Sequence, residues 1–165
     1  MNEAFLLLGS NLGDRLQFLQ HAKKAIGANV GDIQQASSVY ESTTWGFVDE
    51  NLFLNQILRV STALEPLALL AAAQQIEKDL GRIRDTIAIG YRSRNIDIDL
   101  LFYNTEQINT PSLTLPHPRL HLRKFTLAPM VEIAADKRHP ILQKTMQQLW
   151  QECTDNGNVY KYTGD

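Results

Sequence analysis

Asp97 and Asp99 stand one residue apart in a segment that alternates between polar and apolar side chains. Ile96, Ile98 and Leu100 supply the apolar positions, which is the period-two pattern of a strand with one buried face. Both carboxylates then fall on the same face, with side-chain roots roughly 7 Å apart. Like charges on one face repel each other, so such a pair usually has a cation or a basic cluster nearby.

Arginines crowd the chain immediately before the two aspartates. Residues 78–94 hold five basic and two acidic side chains, a local excess of +3, whereas the whole chain carries a formal net charge of −2. The basic residues are Lys78, Arg82, Arg84, Arg92 and Arg94, and the acidic ones are Asp79 and Asp85. Carboxylates beside arginines predict a metal-bound polyphosphate. The alternative is a solvated edge strand that uses its acids against aggregation.

Length and composition are those of an ordinary globular protein. The chain has 165 residues, of which 44% are hydrophobic and 21% charged, so it can bury a proper core. Its slight negative charge argues against nucleic acid as the main partner, because such sites need a broad basic surface. The single cysteine excludes an internal disulfide, and no apolar run is long enough to cross a bilayer. We expect a single domain over residues 1–165, a monomer and a cytoplasmic location.

Hydrophobic periodicity divides the chain into strands and helices. Strands are predicted at residues 4–8, 33–42 and 53–60 and through the two aspartates; helices are predicted from Leu12 to a stop at Gly27 and from Pro66 to Gly81. This order is that of a ferredoxin-like α/β sandwich of the α+β class, with a central, mostly antiparallel sheet. An added hairpin around Pro111 and C-terminal helices, one of them over residues 142–153, complete the prediction.

Aromatic and amide side chains offer a site for a flat ligand. Phe53 and Asn55 share one face of a predicted strand, which combines a stacking surface with a group that both donates and accepts hydrogen bonds. In the preceding loop, Trp45 and Phe47 form either a lid over a ligand or a hydrophobic plug. The turn that begins at Gly9 could cradle phosphate, but the common nucleotide motifs are missing, which favours packing.

Further polar candidates lie beside the arginines and near the C-terminal helices. Gln74 and Glu77 are one turn apart on a predicted helix, where a solvated face is the alternative. His117 stands between two prolines, which present it rather than bury it. The loop at residues 82–92 carries charge and few turn-forming prolines, so we expect it to be mobile and functional.

Five segments occur in a characteristic order. They are Gly9-Ser10-Asn11; Trp45-Gly46-Phe47 with Phe53-Leu54-Asn55; Glu77 with Gly81-Arg82-Ile83-Arg84; Ser93-Arg94-Asn95-Ile96-Asp97-Ile98-Asp99; and Pro116-His117-Pro118-Arg119-Leu120-His121. In these motifs, over most of its length, the chain resembles the 6-hydroxymethyl-7,8-dihydropterin pyrophosphokinase family of folate biosynthesis. An Arg-x-x-Asp-x-Asp motif alone is weak, but five motifs in family order are strong. Tyr91-Arg92-Ser93 departs from the Trp-Gly-Pro of many members, which leaves the role of Arg92 open.

The resemblance implies transfer of the β,γ-pyrophosphoryl group of ATP to the hydroxymethyl oxygen of the pterin, with release of AMP. It implies that Asp97 and Asp99 hold two Mg²⁺ ions on the triphosphate, and that Arg82, Arg84 and Arg94 act with them in catalysis. The ATP-binding residues that it implies are Gln74, Glu77, Arg82, Arg84, Arg94, Leu100, Thr114, His117 and Arg123. The pterin-binding residues that it implies are Gly9, Ser42, Thr43, Thr44, Trp45, Phe53, Asn55 and Phe125. Among these, Asn55 would read the hydrogen-bonding edge of the pterin while Phe53 and Phe125 sandwich its ring.

Two other classes of protein compete with this interpretation. A glycosyltransferase could use Asp-x-Asp to hold the metal of a nucleotide sugar, but such domains are usually longer and would leave Phe53 and Asn55 unexplained. The second is a non-catalytic ferredoxin-like module, either regulatory or RNA-binding. The acidic balance and the lack of exposed aromatic strand motifs weigh against RNA. Formation of AMP from ATP, Mg²⁺ and hydroxymethyl-dihydropterin distinguishes all three classes.

Overall fold

The computed structural model describes residues 1–45, 51–81 and 95–164. Its strands are β1 (Asn2–Ser10), β2 (Asp32–Ala36), β3 (Tyr40–Ser42), β4 (Phe53–Thr62), β5 (Asp97–Tyr103), β6 (Ile108–Asn109), β7 (Thr114–Leu115) and β8 (Val159–Lys161). Its α-helices are α1 (Arg15–Asn29), α2 (Pro66–Asp79), α3 (Lys124–Ala134) and α4 (Met146–Glu152), with a short 3-10 helix at Leu120–Leu122. None of the helices in these described ranges is long and apolar enough to cross a membrane.

Six of the strands form one sheet. The order is β5-β1-β4-β3-β8, with β2 also paired to β4, and every one of these pairings is antiparallel. The remaining two strands, β6 and β7, form a separate antiparallel hairpin. The predicted α+β sandwich with a central antiparallel sheet, an added hairpin and C-terminal helices is confirmed.

Helices cover both faces of the central strand β1. On one face, Leu6 packs into a cluster with residues of α1 and α2 such as Leu19 and Leu69. On the other face, Leu7 packs into a second cluster with residues of α3 and α4 such as Leu127. Full burial of one such side chain contributes roughly 1.5–3 kcal/mol. The continuous apolar run at residues 4–8 therefore reflects a strand that is buried on both faces, as predicted.

The predicted strand at residues 33–42 is wrong in one respect, because the structure divides it into β2 and β3. Ser38, between the two strands, donates from both its backbone N–H and its hydroxyl to the carboxylate of Glu132 on α3. Tyr40 donates its hydroxyl to the same carboxylate at 2.9 Å. A helix from far along the chain thus binds the backbone N–H of Ser38, in the break between the two strands.

Several helix boundaries also differ from the prediction, among them the start of α1 at Arg15 and the end of α2 at Asp79. Helix α1 continues through Gly27 to Asn29, and its C-cap is Val30, whose backbone N–H donates to the Ile26 carbonyl. The glycine that the fold needs here is Gly31, where a Cβ would lie 2.1 Å from the Ser61 carbonyl oxygen. Helix α4 begins only at Met146, after a capping box on Thr145, and is shorter than the predicted 142–153.

Candidate active site

Three adjacent strands place a row of positions on the α3 side of the sheet. Gly9 of β1 pairs with Asp97 of β5 on one side and with Asn55 of β4 on the other. Directly paired residues share a face, and two strand spacings separate Asp97 from Asn55 by roughly 10 Å. Gly9 leaves the middle of the row open: a Cβ there would lie 3.6 Å from Asn55 Oδ1 and 3.6 Å from Phe53 Cδ1. The row is a floor with a carboxylate at one end and an amide at the other.

A cavity of about 460 Å³ lies above this floor, within the size range of small-molecule sites. Most of the site residues predicted in the described ranges line it. They are Gly9, Ser42, Thr43, Trp45, Phe53, Asn55, Gln74, Glu77, Asp97, Asp99, His117, Arg123 and Phe125. The lining also includes Leu7, Leu70, Ile98, Pro118 and Arg119.

The amide end of the cavity is rigid. Asn55 is 2% exposed, and its Nδ2 donates to Ser42 Oγ at 2.8 Å. Phe53, two residues before it, shares its strand face, and Phe125 enters from the first turn of α3. Two aromatic rings and a fixed amide suit a flat ligand with a hydrogen-bonding edge.

A buried acid supports the carboxylate end. Glu77 of α2 is 4% exposed, and its Oε2 accepts a hydrogen bond of 2.8 Å from the backbone N–H of Ile98. Ile98 lies between Asp97 and Asp99 and points its own side chain into the core on the α1 and α2 side. The two aspartates are half-buried and face the cavity. Helix α2 therefore determines where the backbone between the two carboxylates lies.

Arg123 joins the two ends of the cavity. Its guanidinium carbon lies 4.6 Å from the centre of the Trp45 ring and 5.4 Å from that of Phe125, within the range of cation–π contacts. Burial lowers the pKa of the Arg123 guanidinium, while the charges of Asp99 and Asp97 raise it. Arg123 is 6% exposed. Its positively charged guanidinium therefore lies buried and close to both carboxylates.

His117 is half-buried, which corrects the prediction that the two prolines present it rather than bury it, and it is a neutral hydrogen-bonding group at this site. Burial and the charge of Arg123 lower its pKa to about 4, although Asp97 acts in the opposite direction. Its Nδ1 accepts a hydrogen bond of 3.1 Å from the backbone N–H of Arg119, so the neutral ring carries its proton on Nε2. The His117 backbone N–H donates to the Leu101 carbonyl at 2.9 Å, which ties this segment to β5.

The donor set fits a hydrated cation that is shared with a ligand. In the described parts of the chain, no group of three or more His, Cys, Asp or Glu side chains lies together. Asp97 and Asp99 can therefore supply only part of an octahedral shell, and water or phosphate oxygens must supply the rest. Mg²⁺ is typically bound in this way, by one or two carboxylates together with substrate phosphates.

Three predicted residues lie away from the main cavity. Leu100 is 5% exposed and belongs to the core cluster on the α1 and α2 side. Thr114 is exposed in the hairpin strand β7. Thr44 lines a separate void of about 10 Å³ behind Trp45. Their predicted contacts with ATP and the pterin stay predictions.

Several predictions fall outside the described residues. They concern Gly46, Phe47, Arg82, Arg84, Arg92, Arg94 and the loop at 82–92. Among the described residues, Arg119 and Pro118 line the cavity without having been predicted as site residues, although both stand in the Pro-His-Pro-Arg motif that contains His117. Leu70 also lines the cavity, but no motif includes it, and an apolar residue on a helix is usually predicted to pack in the core.

Comparison with known proteins decides the family. The model of the 7,8-dihydro-6-hydroxymethylpterin-pyrophosphokinase family matches residues 5–135. The chain belongs to this family. It is therefore an enzyme, a pyrophosphokinase of folate biosynthesis, and the family resemblance read from its motifs is confirmed.

Relatives of this pyrophosphokinase family cover most of the chain. The chain is 40% identical over 133 residues to the 2-amino-4-hydroxy-6-hydroxymethyldihydropteridine pyrophosphokinase of Bacillus subtilis, covering 80% of this chain and 78% of that protein. It is 38% identical over 154 residues to the enzyme of the same name from Aquifex aeolicus, covering 93% and 94%. These two proteins match the chain over most of their own lengths.

Solved structures show the same pyrophosphokinase fold within longer chains. A crystal structure described as HPPK-DHPS in complex with substrates superposes with a TM-score of 0.75 at 14% identity, over 92% of this chain and 43% of the other. Wild-type HPPK-DHPS of Plasmodium falciparum gives a TM-score of 0.73 at 17% identity, with the same coverage. The chain thus spans less than half the length of these solved chains, and at these identities the likeness shows the fold alone.

Proposed function

We propose that this pyrophosphokinase transfers pyrophosphate from ATP to the hydroxymethyl group of 6-hydroxymethyl-7,8-dihydropterin in a Mg²⁺-dependent reaction. The single observation that carries the proposal is the shared floor of the cavity. A carboxylate pair that suits a metal-bound triphosphate lies roughly 10 Å from an amide and two aromatic rings that suit a pterin. One cavity thus offers a place for each of the two substrates.

The proposed reaction forms one phosphorus–oxygen bond and breaks another. The hydroxymethyl oxygen attacks the β-phosphorus of ATP, and the bond between that phosphorus and the oxygen bridging to the α-phosphorus breaks. AMP leaves with the bridging oxygen, and the hydroxyl proton passes to solvent. Because phosphoryl transfer needs little covalent participation by a protein, the residues act mainly by alignment and charge neutralisation.

The pterin occupies the amide end. Asn55, oriented by Ser42, donates to and accepts from the polar edge of the ring, and Phe53 and Phe125 stack on its faces. Gly9 allows the ring to approach the sheet. The remaining residues assigned to this substrate are Thr43, Thr44 and Trp45.

ATP occupies the carboxylate end. Asp97 and Asp99 would hold two Mg²⁺ ions, which would supply positive charge to neutralise the triphosphate oxygens. Neutral His117 donates from Nε2, and Arg123 adds positive charge close to the carboxylates. Glu77 orients the strand that bears the carboxylates. The remaining assignments are Gln74, Leu100 and Thr114 for ATP binding, and Arg82, Arg84 and Arg94 for binding and catalysis.

An assay of AMP formation tests this function. The folded protein is mixed with ATP, Mg²⁺ and 6-hydroxymethyl-7,8-dihydropterin, and AMP and the pterin diphosphate are quantified together. We expect equal amounts of both products and none when the pterin or Mg²⁺ is left out. Absence of AMP above background would overturn the proposal. A nucleoside diphosphate released from a nucleotide sugar would favour the glycosyltransferase alternative.

The chain is proposed to act as a single domain, as a monomer in the cytoplasm. Both ends of the cavity are lined by residues of this one chain. Light scattering coupled to size-exclusion chromatography checks the oligomeric state at the concentrations used in the assay. A dimer that loses activity on dilution would contradict the monomer.

A further inference from the structure

A C-terminal segment beyond the family match lies directly behind the aromatic end of the cavity. The match ends at residue 135, whereas Asp155, Gly157 and Asn158 line a void of only about 10 Å³ together with Thr43 and Phe125. The segment therefore borders both of these residues. It does not line the main cavity itself.

Asp155 binds the first turn of α3. Its Oδ2 accepts a hydrogen bond of 3.0 Å from the backbone N–H of Lys124, the first residue of the helix. The residue before the helix, Arg123, provides no side-chain cap, because a guanidinium has no acceptor. Asp155 thus serves as the capping acceptor from 31 positions away in sequence, and its negative charge suits a helix N-terminus.

The same segment binds the end of β3. The backbone N–H of Asn158 donates to Thr43 Oγ1, and the backbone N–H of Thr43 donates to the Asn158 carbonyl, both at 3.2 Å. The other oxygen of Asp155 accepts from the Gly157 N–H at 2.8 Å, which holds the segment in its turn. One short segment therefore connects the strand end at Thr43 to the helix start that carries Phe125.

We propose that Asp155 and Gly157 are positioning residues for pterin recognition, and that they determine the distance between Thr43 and the ring of Phe125. This inference rests on the proposed function, since it assigns the substrate that enters between these groups. Neither residue contacts the substrate. They act through the helix start and the strand end, so their loss affects the pterin more than ATP.

Two variants test this from opposite directions. Asp155→Asn keeps one acceptor oxygen, so the turn can keep only one of its two backbone hydrogen bonds. Gly157→Ala adds a Cβ that would lie 3.0 Å from Thr43 Oγ1 and 3.1 Å from Asp155 Oδ1, so one of these groups must shift. Glu152→Gln is the matched control, because it also removes one negative charge near the C-terminus. Glu152 lies at the end of α4 and forms an exposed ion pair with Lys144.

The measurements are KM and kcat for each substrate and the Kd of the pterin by its own fluorescence. We expect the KM and Kd for the pterin to rise about fivefold to tenfold in both variants, the effect of about one hydrogen bond. The KM for ATP stays within about twofold, and Glu152→Gln matches the wild type.

Unchanged pterin affinity in both variants, or equal changes for both substrates, would overturn the inference. If Asp155→Asn does not fold, Gly157→Ala decides alone by the same criterion. A wild type that binds no pterin would instead overturn the proposed function.

Discussion

The backbone N–H of Ile98 donates a hydrogen bond of 2.8 Å to Oε2 of Glu77, which joins β5 to α2. Ile98 is the residue between Asp97 and Asp99, so a buried carboxylate on a helix holds the backbone that carries both candidate metal ligands. The family motif predicts a site role for Glu77, whereas its helical position alone also fits a solvated face. Its contact with the aspartate strand is a property of the folded chain.

Replacement of Glu77 separates its structural role from its charge. Glu77→Ala leaves a buried N–H without its acceptor, and we expect a loss of about 1–3 kcal/mol in the free energy of unfolding together with lower activity. Glu77→Gln keeps an acceptor oxygen, so stability returns towards that of the wild type. Urea unfolding and the KM for ATP are the measurements. Asp79→Ala, an exposed residue of the same helix, is the control. Equal stability of Glu77→Ala and the wild type would contradict this role.

Removal of either aspartate charge should abolish most of the Mg²⁺-dependent activity. Asp97→Asn and Asp99→Asn each lose one candidate ligand, and we expect a loss of about 3 kcal/mol of transition-state stabilisation, or roughly 100-fold in rate. The activity is measured as AMP formation over a Mg²⁺ titration. Asp32→Asn, an exposed strand aspartate on β2, is the control. Variants that keep wild-type activity at equal Mg²⁺ would exclude these residues as metal ligands.

Ser42→Ala tests the orientation of the Asn55 amide. The variant removes the acceptor of the 2.8 Å hydrogen bond from Asn55 Nδ2, which releases the side chain to rotate. We expect the KM for the pterin to rise about fivefold, in line with about 1 kcal/mol per hydrogen bond, while the KM for ATP is unchanged. Ser112→Ala, in the exposed turn of the hairpin, should behave as the wild type. A change in the KM for ATP alone would contradict the role of Ser42 at the pterin end of the cavity.

Gly9→Ala should fold well and bind the pterin poorly. The added Cβ makes ordinary contacts at 3.6 Å with Asn55 and Phe53, and the change stabilises a compatible backbone by about 0.4–1 kcal/mol. The same methyl group stands on the cavity floor, so we expect at least a tenfold loss of pterin affinity, about 1.4 kcal/mol. Gly27→Ala on α1 is the control for stability, with no expected effect on binding. Wild-type pterin affinity in Gly9→Ala would show that the ring does not lie over β1.

Stability should fall on acidification because of His139. Burial, with a contribution from His121, lowers the pKa of His139 to about 4 from its ordinary 6.5. Between these values the unfolded chain binds the proton more tightly, so the free energy of unfolding decreases as the pH falls from about 6.5 to 4, by at most ~1.4 kcal/mol per pH unit. Above about pH 6.5 the contribution of His139 to the free energy of unfolding no longer changes with pH.

His139→Asn tests the origin of that slope. An asparagine Oδ1 can replace Nδ1 as the acceptor of the Ile141 and Leu142 backbone N–H groups, but it does not titrate. We expect urea unfolding at pH 5 and pH 7 to differ less in this variant than in the wild type. His21→Asn, on the exposed side of α1, is the control. An unchanged slope in His139→Asn would assign the acid sensitivity to other groups.

Local patterns in the sequence were sufficient for the alternation of Asp97 and Asp99 with buried residues and for the central strand β1. Side-chain period and burial depend on neighbouring residues alone, so both were predictable. The break between two strands was not predictable in this way. The division between β2 and β3 depends on Glu132, whose carboxylate binds Ser38 from 94 positions away, and no periodicity reports such a partner.

Residue types and their order predict the available chemistry: a carboxylate pair, an amide beside an aromatic ring, and five motifs in the order of one enzyme family. The geometry of these groups depends on contacts between distant parts of the chain. Antiparallel register placed Asp97 and Asn55 on opposite sides of Gly9, and α2 brought Glu77 to the strand between the aspartates. The fold also placed Asp155, outside the family match, at the start of α3. The physical reason is that residue type sets which interactions are available, whereas long-range pairing and burial decide which of them form.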